Sequence, residues 1–410
     1  MGALIPMAWA VVISVVTALA AGAWWLMGAP TLVRPNQLTP GTLDAIATRS
    51  FAVVAGLGAA ALLVISYRRQ HATEAEGERE NTKLFTERFT VATAQLGDAE
   101  PAIRLAGVHA LANLADDAPE GKDELVQMVV DVLCAYLRMP YEPLPKPLPD
   151  DADPELAETR RKRELWFASL REVRHTVIRI IGNHLRTDTR WRGKDYDFTG
   201  VSFDGGELKG ARFSGGRVSF EGAQFAGGQV SFEGASFSGG RVSFEGAQFT
   251  GGQVTFSDAE FCGGRVYFTS AEFGGGDVPF ASARVTGGLL DFTDARFTDG
   301  QVYFIGTDFS GGRVDFDGTR FTGSEVYFVG AEFADNTVSF HSTRFSGGNV
   351  TFADLASGMH DASGMCPEGL FEAVERGEPG VVELSPLWAS AADSGDCSPC
   401  LGTSVEDSES

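Results

Sequence analysis

The sequence has few cysteines and few charged residues, and both shortages restrict what the chain can be. Five cysteines stand in 410 residues, odd in number and mostly far apart, so they do not form the framework of a disulfide-rich protein and fit a reducing compartment. Charged residues make up only 21% of the chain, yet the formal net charge is −22. A surface of that sign repels nucleic acid and anionic lipid headgroups, and it suits solubility or a basic partner. We therefore expect no nucleic-acid partner.

The sequence also lacks the short motifs through which many enzymes hold phosphate, metal or acyl groups. It contains no Walker loop, no His-Glu-x-x-His and no Gly-x-Ser-x-Gly. His109, His175 and His184 are scattered without the spacing of metal ligands, which favours packing or surface roles. We therefore predict that the chain is not an enzyme and uses no cofactor.

One pair of cysteines has a spacing that metal ligands often show. Cys397 and Cys400 are separated by two residues in a segment rich in Ser, Gly and Asp, and Cys366 is the one possible third ligand. A zinc site needs four ligands when it is structural. These three cysteines are therefore weak metal candidates, and a flexible acidic tail is the preferred interpretation.

Two long apolar runs lie near the N-terminus. The run from Leu4 to Met27 contains no charge, and it is long enough to cross about 30 Å of hydrocarbon as a helix. A second run extends from about Ala45 to Tyr67. Arg68 and Arg69 follow the second run, whereas the connecting loop offers Arg34, so the positive-inside rule places both termini in the cytoplasm. The sequence thus predicts two transmembrane helices and a multi-pass protein of the cell membrane whose remaining chain is cytoplasmic.

Residues 71–190 have the periodicity of an α-helical neck, interrupted by a proline-rich loop from Met139 to Pro154. Two of its helices align: Arg104 to Asn113 matches Arg174 to Asn183, with Arg and Asn at equal offsets. This pattern resembles the inner helix of a HEAT-like repeat, which is a packing unit rather than a site. The basic cluster from Arg160 to Arg163 is interpreted as a solvated helix face.

From Phe198 onward the sequence is repetitive. Its first four units have five residues, and later units have twelve, with the pattern Val-x-Phe-x-Gly-Ala-x-Phe-x-Gly-Gly-x. Of the 30 Phe residues, 25 occupy the central positions between Phe198 and Phe352, which indicates a solenoid. The twelve-residue units begin at Val218, Val230, Val242, Val254, Val266, Val278, Leu290, Val302, Val314, Val326, Val338 and Val350.

Side chains alternate along an extended segment, so each Phe and the Val or Ala two positions before it point into the coil. Glycines are expected at the corners, because they adopt positive φ easily. The residue before each Val alternates between two sets, which is explained if two units form one 24-residue turn. Tandem duplication of a 24-residue segment would give the same alternation. The odd set is Arg217, Arg241, Arg265, Leu289, Arg313 and Thr337, and the even set is Gln229, Gln253, Asp277, Gln301, Glu325 and Asn349.

These repeats resemble the pentapeptide-repeat family over about residues 196–354, as in Tyr196-Asp-Phe198-Thr-Gly and Ala211-Arg-Phe213-Ser-Gly. The resemblance implies a right-handed, quadrilateral β-helix, although two extra residues in every second unit depart from the family pattern. The preceding helices, with Phe85-Thr-Glu-Arg-Phe89, look like those of membrane-anchored actinobacterial members. The predicted domains are a transmembrane anchor (1–70), the helical neck (71–190), the β-solenoid (196–356) and the tail (357–410).

The leading functional prediction is a membrane-tethered, non-enzymatic scaffold whose rigid β-rod binds an unknown protein partner, with homo-oligomers as a further option. Its candidate interaction face is the row of Arg217, Arg241, Arg265 and Arg313. The alternative comes from the family resemblance: some members mimic duplex DNA and occupy a type II topoisomerase, protecting it from quinolones. The acidic composition is compatible with that alternative, but the row of Arg side chains and a membrane tether argue against it.

Overall fold

The computed structural model describes residues 40–141, 154–334, 337–353 and 360–388, with a few single positions between residues 14 and 25. The chain divides into two units, residues 1–79 and 80–410. The first predicted membrane span, Leu4 to Met27, lies for the most part outside the described residues. The second, Ala45 to Tyr67, belongs to helix α1 (Pro40–Leu96), which is 57 residues long.

The two predicted transmembrane helices are not supported by the structure. Among the residues that it describes, no helix combines the length and the apolar character that crossing a membrane requires. The apolar run up to Tyr67 is one part of α1, and the same helix continues without a break through the charged residues that follow. The predicted multi-pass location in the cell membrane is wrong for the same reason.

Three further helices precede the repeats: α2 (Pro101–Asp116), α3 (Asp123–Arg138) and α4 (Pro154–Arg186). In α3, apolar residues recur at helical spacing, and Val126, Val129 and Leu133 are fully buried. Their burial joins the helices to the same apolar core as the first repeats. The second unit therefore has one continuous core from α1 to the end of the solenoid.

The aligned Arg104 and Arg174 have different environments. Arg174 is 3% exposed, and its guanidinium donates to the backbone oxygens of Leu137 (2.7 Å) and Ser202 (2.9 Å). It thereby links α3 and α4 to the second repeat. Arg104 donates to the backbone oxygen of Asp98, within the helical region.

The repeats form a parallel β-solenoid of about six turns, built as two nine-stranded sheets. The strands are β1 (Tyr196–Asp197), β2 (Ser202–Phe203), β3 (Gly206–Glu207), β4 (Arg212–Ser219), β5 (Gln224–Ser231), β6 (Ser236–Ser243), β7 (Gln248–Thr255), β8 (Glu260–Tyr267), β9 (Glu272–Pro279), β10 (Arg284–Asp291), β11 (Arg296–Tyr303), β12 (Asp308–Asp315), β13 (Arg320–Tyr327), β14 (Glu332–Phe333), β15 (Val338–Ser339), β16 (Arg344–Thr351), β17 (Ser363–Gly364) and β18 (Val382–Glu383). The even-numbered strands from β4 to β14 lie in one sheet together with β1, β15 and β17. The odd-numbered strands from β3 to β13 lie in the other sheet together with β2, β16 and β18.

The register confirms the predicted turn of 24 residues. Phe213 pairs with Phe237 in one sheet, and Phe225 pairs with Phe249 in the other. We call the sheet that contains β4 and β6 sheet A, and the sheet that contains β5 and β7 sheet B. The odd set of inserted residues stacks in sheet A and the even set in sheet B, as predicted.

Phenylalanine rings fill the interior in four columns, and neighbouring rings within a column are 4.5 to 5.1 Å apart. Burial of each ring contributes roughly 1.5–3 kcal/mol. Val285 interrupts one column between Phe261 and Phe309 but is itself fully buried. The columns run through Phe220, Phe244 and Phe268, through Phe232, Phe256 and Phe280, through Phe225, Phe249 and Phe273, and through Phe213, Phe237 and Phe261.

Both ends of the solenoid are covered. At the N-terminal end, α4 packs on β3, so closely that a Cβ on Gly182 would collide with the backbone oxygen of Glu207. At the C-terminal end, residues 360–388 belong to the segment predicted as a flexible tail, but there β17 and β18 extend the two sheets. Helix α5 (Leu370–Arg376) also lies in this segment, and Trp388 is buried against the last Phe rings. Coverage of both ends hides the edge strands, which otherwise invite aggregation.

Candidate interaction surface

The structure brings three of the four predicted Arg residues onto consecutive turns. Arg217 pairs in register with Arg241, and Arg241 pairs with Arg265. Successive rungs of a parallel sheet are about 4.8 Å apart, so the three exposed side chains form a close row along sheet A. We call this row the Arg ladder.

The Arg ladder lines an open groove of about 930 Å³. The groove is also lined by Asp131 of α3 and by the segment from Asp195 to Asp197, in which β1 is the strand of sheet A that pairs with β4. Gln127 joins α3 to this segment, because its side chain accepts a hydrogen bond from the Asp195 amide (2.9 Å) and donates one to the Asp195 carbonyl (2.7 Å). Helix α3 is thereby held beside the first turns.

Two of the carboxylates that line the groove, those of Asp195 and Asp197, have partners within the protein, and Glu221 is a further lining carboxylate. Asp195 Oδ1 accepts the backbone N–H of Arg217 at 2.7 Å, and Asp197 is paired with Arg138. Burial by itself would raise the pKa of Asp197, but hydrogen bonds from Thr199 and the charge of Arg138 outweigh it, so this pKa is lowered. Asp197 thus remains ionised and already neutralised at neutral pH.

The guanidinium groups of the Arg ladder lack such neutralisation. Within the part of the chain that the structure describes, Arg217, Arg241 and Arg265 form no ion pair with a carboxylate. Arg241 instead lies over the ring of Tyr267, with its central carbon 4.2 Å from the ring centroid. Such stacking fixes the side chain while leaving its outer N–H donors available. The groove therefore offers positive charge and oriented donors on an otherwise acidic protein.

The fourth predicted residue, Arg313, does not belong to this groove. Leu289 occupies the rung between Arg265 and Arg313 in sheet A. Arg313 Nε donates to both carboxylate oxygens of Asp315, at 2.7 and 2.8 Å. The charge of Arg313 is therefore neutralised by Asp315.

A second row of arginines was missed by the sequence analysis. Arg296, Arg320 and Arg344 pair in register on consecutive turns of sheet B. Arg296 lies 3.6 Å from Glu272, and none of the three residues lines the groove of the Arg ladder. The signal was present, because each of the three precedes a Phe at the 24-residue spacing.

Two of the three predicted packing histidines bind carboxylates near the junction of helices and repeats. His175 Nε2 lies 2.9 Å from Asp204 Oδ1. His184 Nε2 lies 3.1 Å from Asp116 Oδ2, and its ring stacks on Trp191. His109 makes neither kind of contact. The His175–Asp204 and His184–Asp116 pairs connect separate elements and do not form a shared site.

The weak metal candidates are not brought together in the described residues, which contain no cluster of three or more metal-ligating side chains. Cys366 is half-buried and packs against the apolar core. Cys397 and Cys400 lie outside the described residues. The remaining described cysteines are Cys134, where burial raises the thiol pKa to about 12, and the exposed Cys262.

Comparison with known proteins adds no relative: no protein-family profile, characterised protein or solved structure matches the chain. The geometry of the solenoid and its surfaces therefore carries the functional argument.

Proposed function

We propose that the chain is a non-enzymatic scaffold of the pentapeptide-repeat type, which binds an acidic segment of a partner protein along the Arg ladder. The observation that carries the proposal is the row of three guanidinium groups without carboxylate partners in one groove. Arg suits this task because its planar group donates two parallel hydrogen bonds to a carboxylate. The partner is thus recognised by clustered Asp or Glu side chains.

The rigidity of the solenoid supports a binding role. The ladder residues stand on strands that are hydrogen-bonded on both sides and are anchored by buried Val218, Val242 and Val266, each next in sequence to one Arg. Little backbone ordering is needed when a partner binds, so less of the interaction free energy is lost. Repeat proteins commonly use such repeated, preformed surfaces.

The test is binding of a fluorescent peptide of ten glutamates to the full-length chain, measured by anisotropy at low and physiological salt. Replacing all three ladder residues with Glu is expected to weaken binding by about ten- to a hundredfold, since each exposed charge pair contributes about 0.2–1 kcal/mol and reversal adds repulsion. Binding by the unchanged protein should also weaken as salt rises.

The second Arg row provides a matched control. Replacing Arg296, Arg320 and Arg344 with Glu changes the net charge equally but leaves the groove intact. This control should bind the peptide within about twofold of the unchanged protein, because specific contacts outweigh long-range charge at physiological salt. Equal loss in both variants, or no loss in either, would show that the Arg ladder is not the binding site.

The DNA-mimic hypothesis remains an alternative prediction without a supporting contact in the structure. Two exposed Arg rows lie on different sheets, whereas a mimic of duplex DNA needs a predominantly anionic surface. Overexpression of the chain followed by a quinolone susceptibility test addresses it directly. Protection would favour the mimic over the scaffold.

A further inference from the structure

The outward positions of sheets A and B differ in a way that the fold does not require. In sheet B the residue between the buried Val and Phe is polar in the first turns, at Ser231 and Thr255, and then becomes Pro279, Tyr303 and Tyr327. At the matching positions of sheet A, three successive turns carry Tyr267, Asp291 and Asp315.

The next outward position along sheet B changes in the same turns. Glu233 and Ser257 are followed by Ala281 and Ile305, and then by Val329, which is buried. Solvent-facing positions of a solenoid need no apolar residue, and a contiguous apolar patch marks an interaction site. We call Pro279, Tyr303, Tyr327, Ala281 and Ile305 the aromatic face.

The aromatic face is held in place and is bordered by negative charge. The rings of Tyr303 and Tyr327 stack with centroids 5.4 Å apart, and Tyr327 donates to Glu325 at 2.9 Å. Asp277 and Glu325 are exposed along one side of the face, and in the described chain neither forms an ion pair with Lys or Arg. At the other side, Ile305 borders a groove of about 600 Å³ that also contains Glu332 and Leu387, the latter 61% exposed.

A surface of the opposite character lies on helix α4 of the same chain. Leu165 and Trp166 are 62% and 54% exposed, which is unusual for a large apolar pair on one helix. Arg161 stands four residues before Leu165 and Arg163 three residues before Trp166, so each guanidinium neighbours one of the two apolar side chains. Neither Arg forms an ion pair among the described residues. We call residues 161–166 the basic helix segment.

We propose that this chain self-associates, with the basic helix segment of one copy docked on the aromatic face of another. Trp166 and Leu165 would cover Tyr303, Tyr327 and Ile305. The guanidinium groups would meet Asp277 and Glu325, the carboxylates that border the face without an ion pair to Lys or Arg. The basic helix segment is exposed and the residues of the aromatic face are half-buried. The two halves are complementary in charge and apolar at the centre, as stable interfaces are.

The two halves are different surfaces, so the interface is heterologous. Each copy in a pair then keeps one unused half, and assembly continues to longer oligomers or closes into a ring. The Arg ladder is a separate surface, so the inference does not depend on the proposed function.

The test is sedimentation velocity of the full-length chain over a hundredfold range of concentration. The unchanged protein should form species larger than a dimer as its concentration rises. A face variant, Tyr303→Ser with Tyr327→Thr, uses residue types that the same column carries at Ser231 and Thr255. A helix variant, Leu165→Ser with Trp166→Ser, changes only exposed positions. Each variant alone should be monomeric at concentrations where the unchanged protein assembles.

Mixing the two variants distinguishes the proposed interface from general loss of association. The face variant keeps its helix segment and the helix variant keeps its face, so a 1:1 mixture should form a heterodimer and nothing larger. A third variant, Arg161→Glu with Arg163→Glu, should also be monomeric and retains both apolar residues. The proposal is overturned if the unchanged protein stays monomeric, if the variants assemble as it does, or if the mixture gives no dimer.

Discussion

At the scale of single residues, Asp204 is the carboxylate with the most partners at the junction of helices and solenoid. Its carboxylate accepts hydrogen bonds from Tyr141 (2.6 Å) and His175 (2.9 Å), and it forms an ion pair with Arg171 (3.0 Å). Burial alone would raise its pKa, but the hydrogen bonds from His175 and Tyr141 outweigh burial, and the pKa is lowered. The ionised form therefore stabilises the folded chain.

The first prediction concerns the substitution Asp204→Asn. At pH 7 it should lower the free energy of unfolding by about 1–3 kcal/mol, because it removes charge-assisted hydrogen bonds from half-buried partners. A lowered folded pKa gives stability that is present above the unfolded value of 3.8 and is lost as the pH falls through the folded pKa. Urea unfolding between pH 7 and pH 3 should thus show the two proteins converging in acid.

Asp315 is the matched control because its pKa is shifted in the opposite direction. Burial raises it, and the nearby Asp317 and Asp291 add to this shift, while Arg313 partly offsets it. A raised folded pKa means that ionisation costs stability as the pH rises. Asp315→Asn should therefore leave stability at pH 7 unchanged or higher, and a loss equal to that of Asp204→Asn would contradict both assignments.

At the scale of the repeat element, two classes of corner glycine have different physical requirements. Gly240 has φ near 70°, and a Cβ there would collide with the backbone oxygen of Gly216 one turn earlier. Gly246 has φ near 62° but nothing within 4 Å of such a Cβ. One turn later, Ser270 occupies the position of Gly246 with φ near 56°.

The second prediction compares the same substitution at these two corners. Gly246→Ser should cost only about 1 kcal/mol, the penalty of left-handed backbone for a residue with a Cβ. Gly240→Ser should cost at least about 3 kcal/mol, because the backbone of two turns must separate. Thermal unfolding of both variants measures the difference, and equal stability would show that the corner in sheet A has free space.

The third prediction concerns the Phe columns. Phe268 is fully buried and stacks on Phe244 and Phe292 at 4.7 and 4.9 Å. Phe268→Ala should lower the free energy of unfolding by about 3–5 kcal/mol, since the ring is lost and a cavity remains. Chemical denaturation measures this loss. Gln248→Ala, at an exposed position of β7, should change stability by less than about 0.5 kcal/mol.

At the scale of the whole second unit, the solenoid is finished by residues far along the chain. The Trp388 ring lies 5.4 Å from Phe333 and 5.5 Å from Phe352, and its Nε1 donates to Gly364 at 2.9 Å. A terminal repeat needs such a cap, because its apolar face has no next turn to cover it.

The fourth prediction is that Trp388→Ala loosens the last turn selectively. Amide hydrogen exchange should become faster over residues 337–352 while the middle of the solenoid, such as β8, keeps its protection. Uniform loss of protection throughout the repeats would instead show that the cap stabilises the unit as a whole. Trp388→Phe keeps an aromatic ring but lacks the indole N–H donor, and it should retain most of the protection.

Several properties of this protein follow from its sequence alone. The positions of the repeats, the inward Phe residues and the 24-residue turn were predictable, because each depends on local periodicity that identical neighbouring turns repeat. The row of Arg217, Arg241 and Arg265 followed from that turn. Hydropathy was misleading for Ala45 to Tyr67, because no helix among the described residues combines the length and apolar character that a membrane span requires.

The tertiary structure determined which charged side chains are paired within the protein and which are left available to a partner. Only contacts between distant segments, such as Gln127 with Asp195 across 68 residues, place α3 beside the first turns and form the groove around the Arg ladder. Arg313 differs from the residues of the Arg ladder because its guanidinium is hydrogen-bonded to the carboxylate of Asp315. Likewise, the cap at Trp388 joins residues that no repeat period connects. The sequence thus determined the repeating core, where every turn meets a copy of itself, and the fold determined the surfaces, where unlike segments meet.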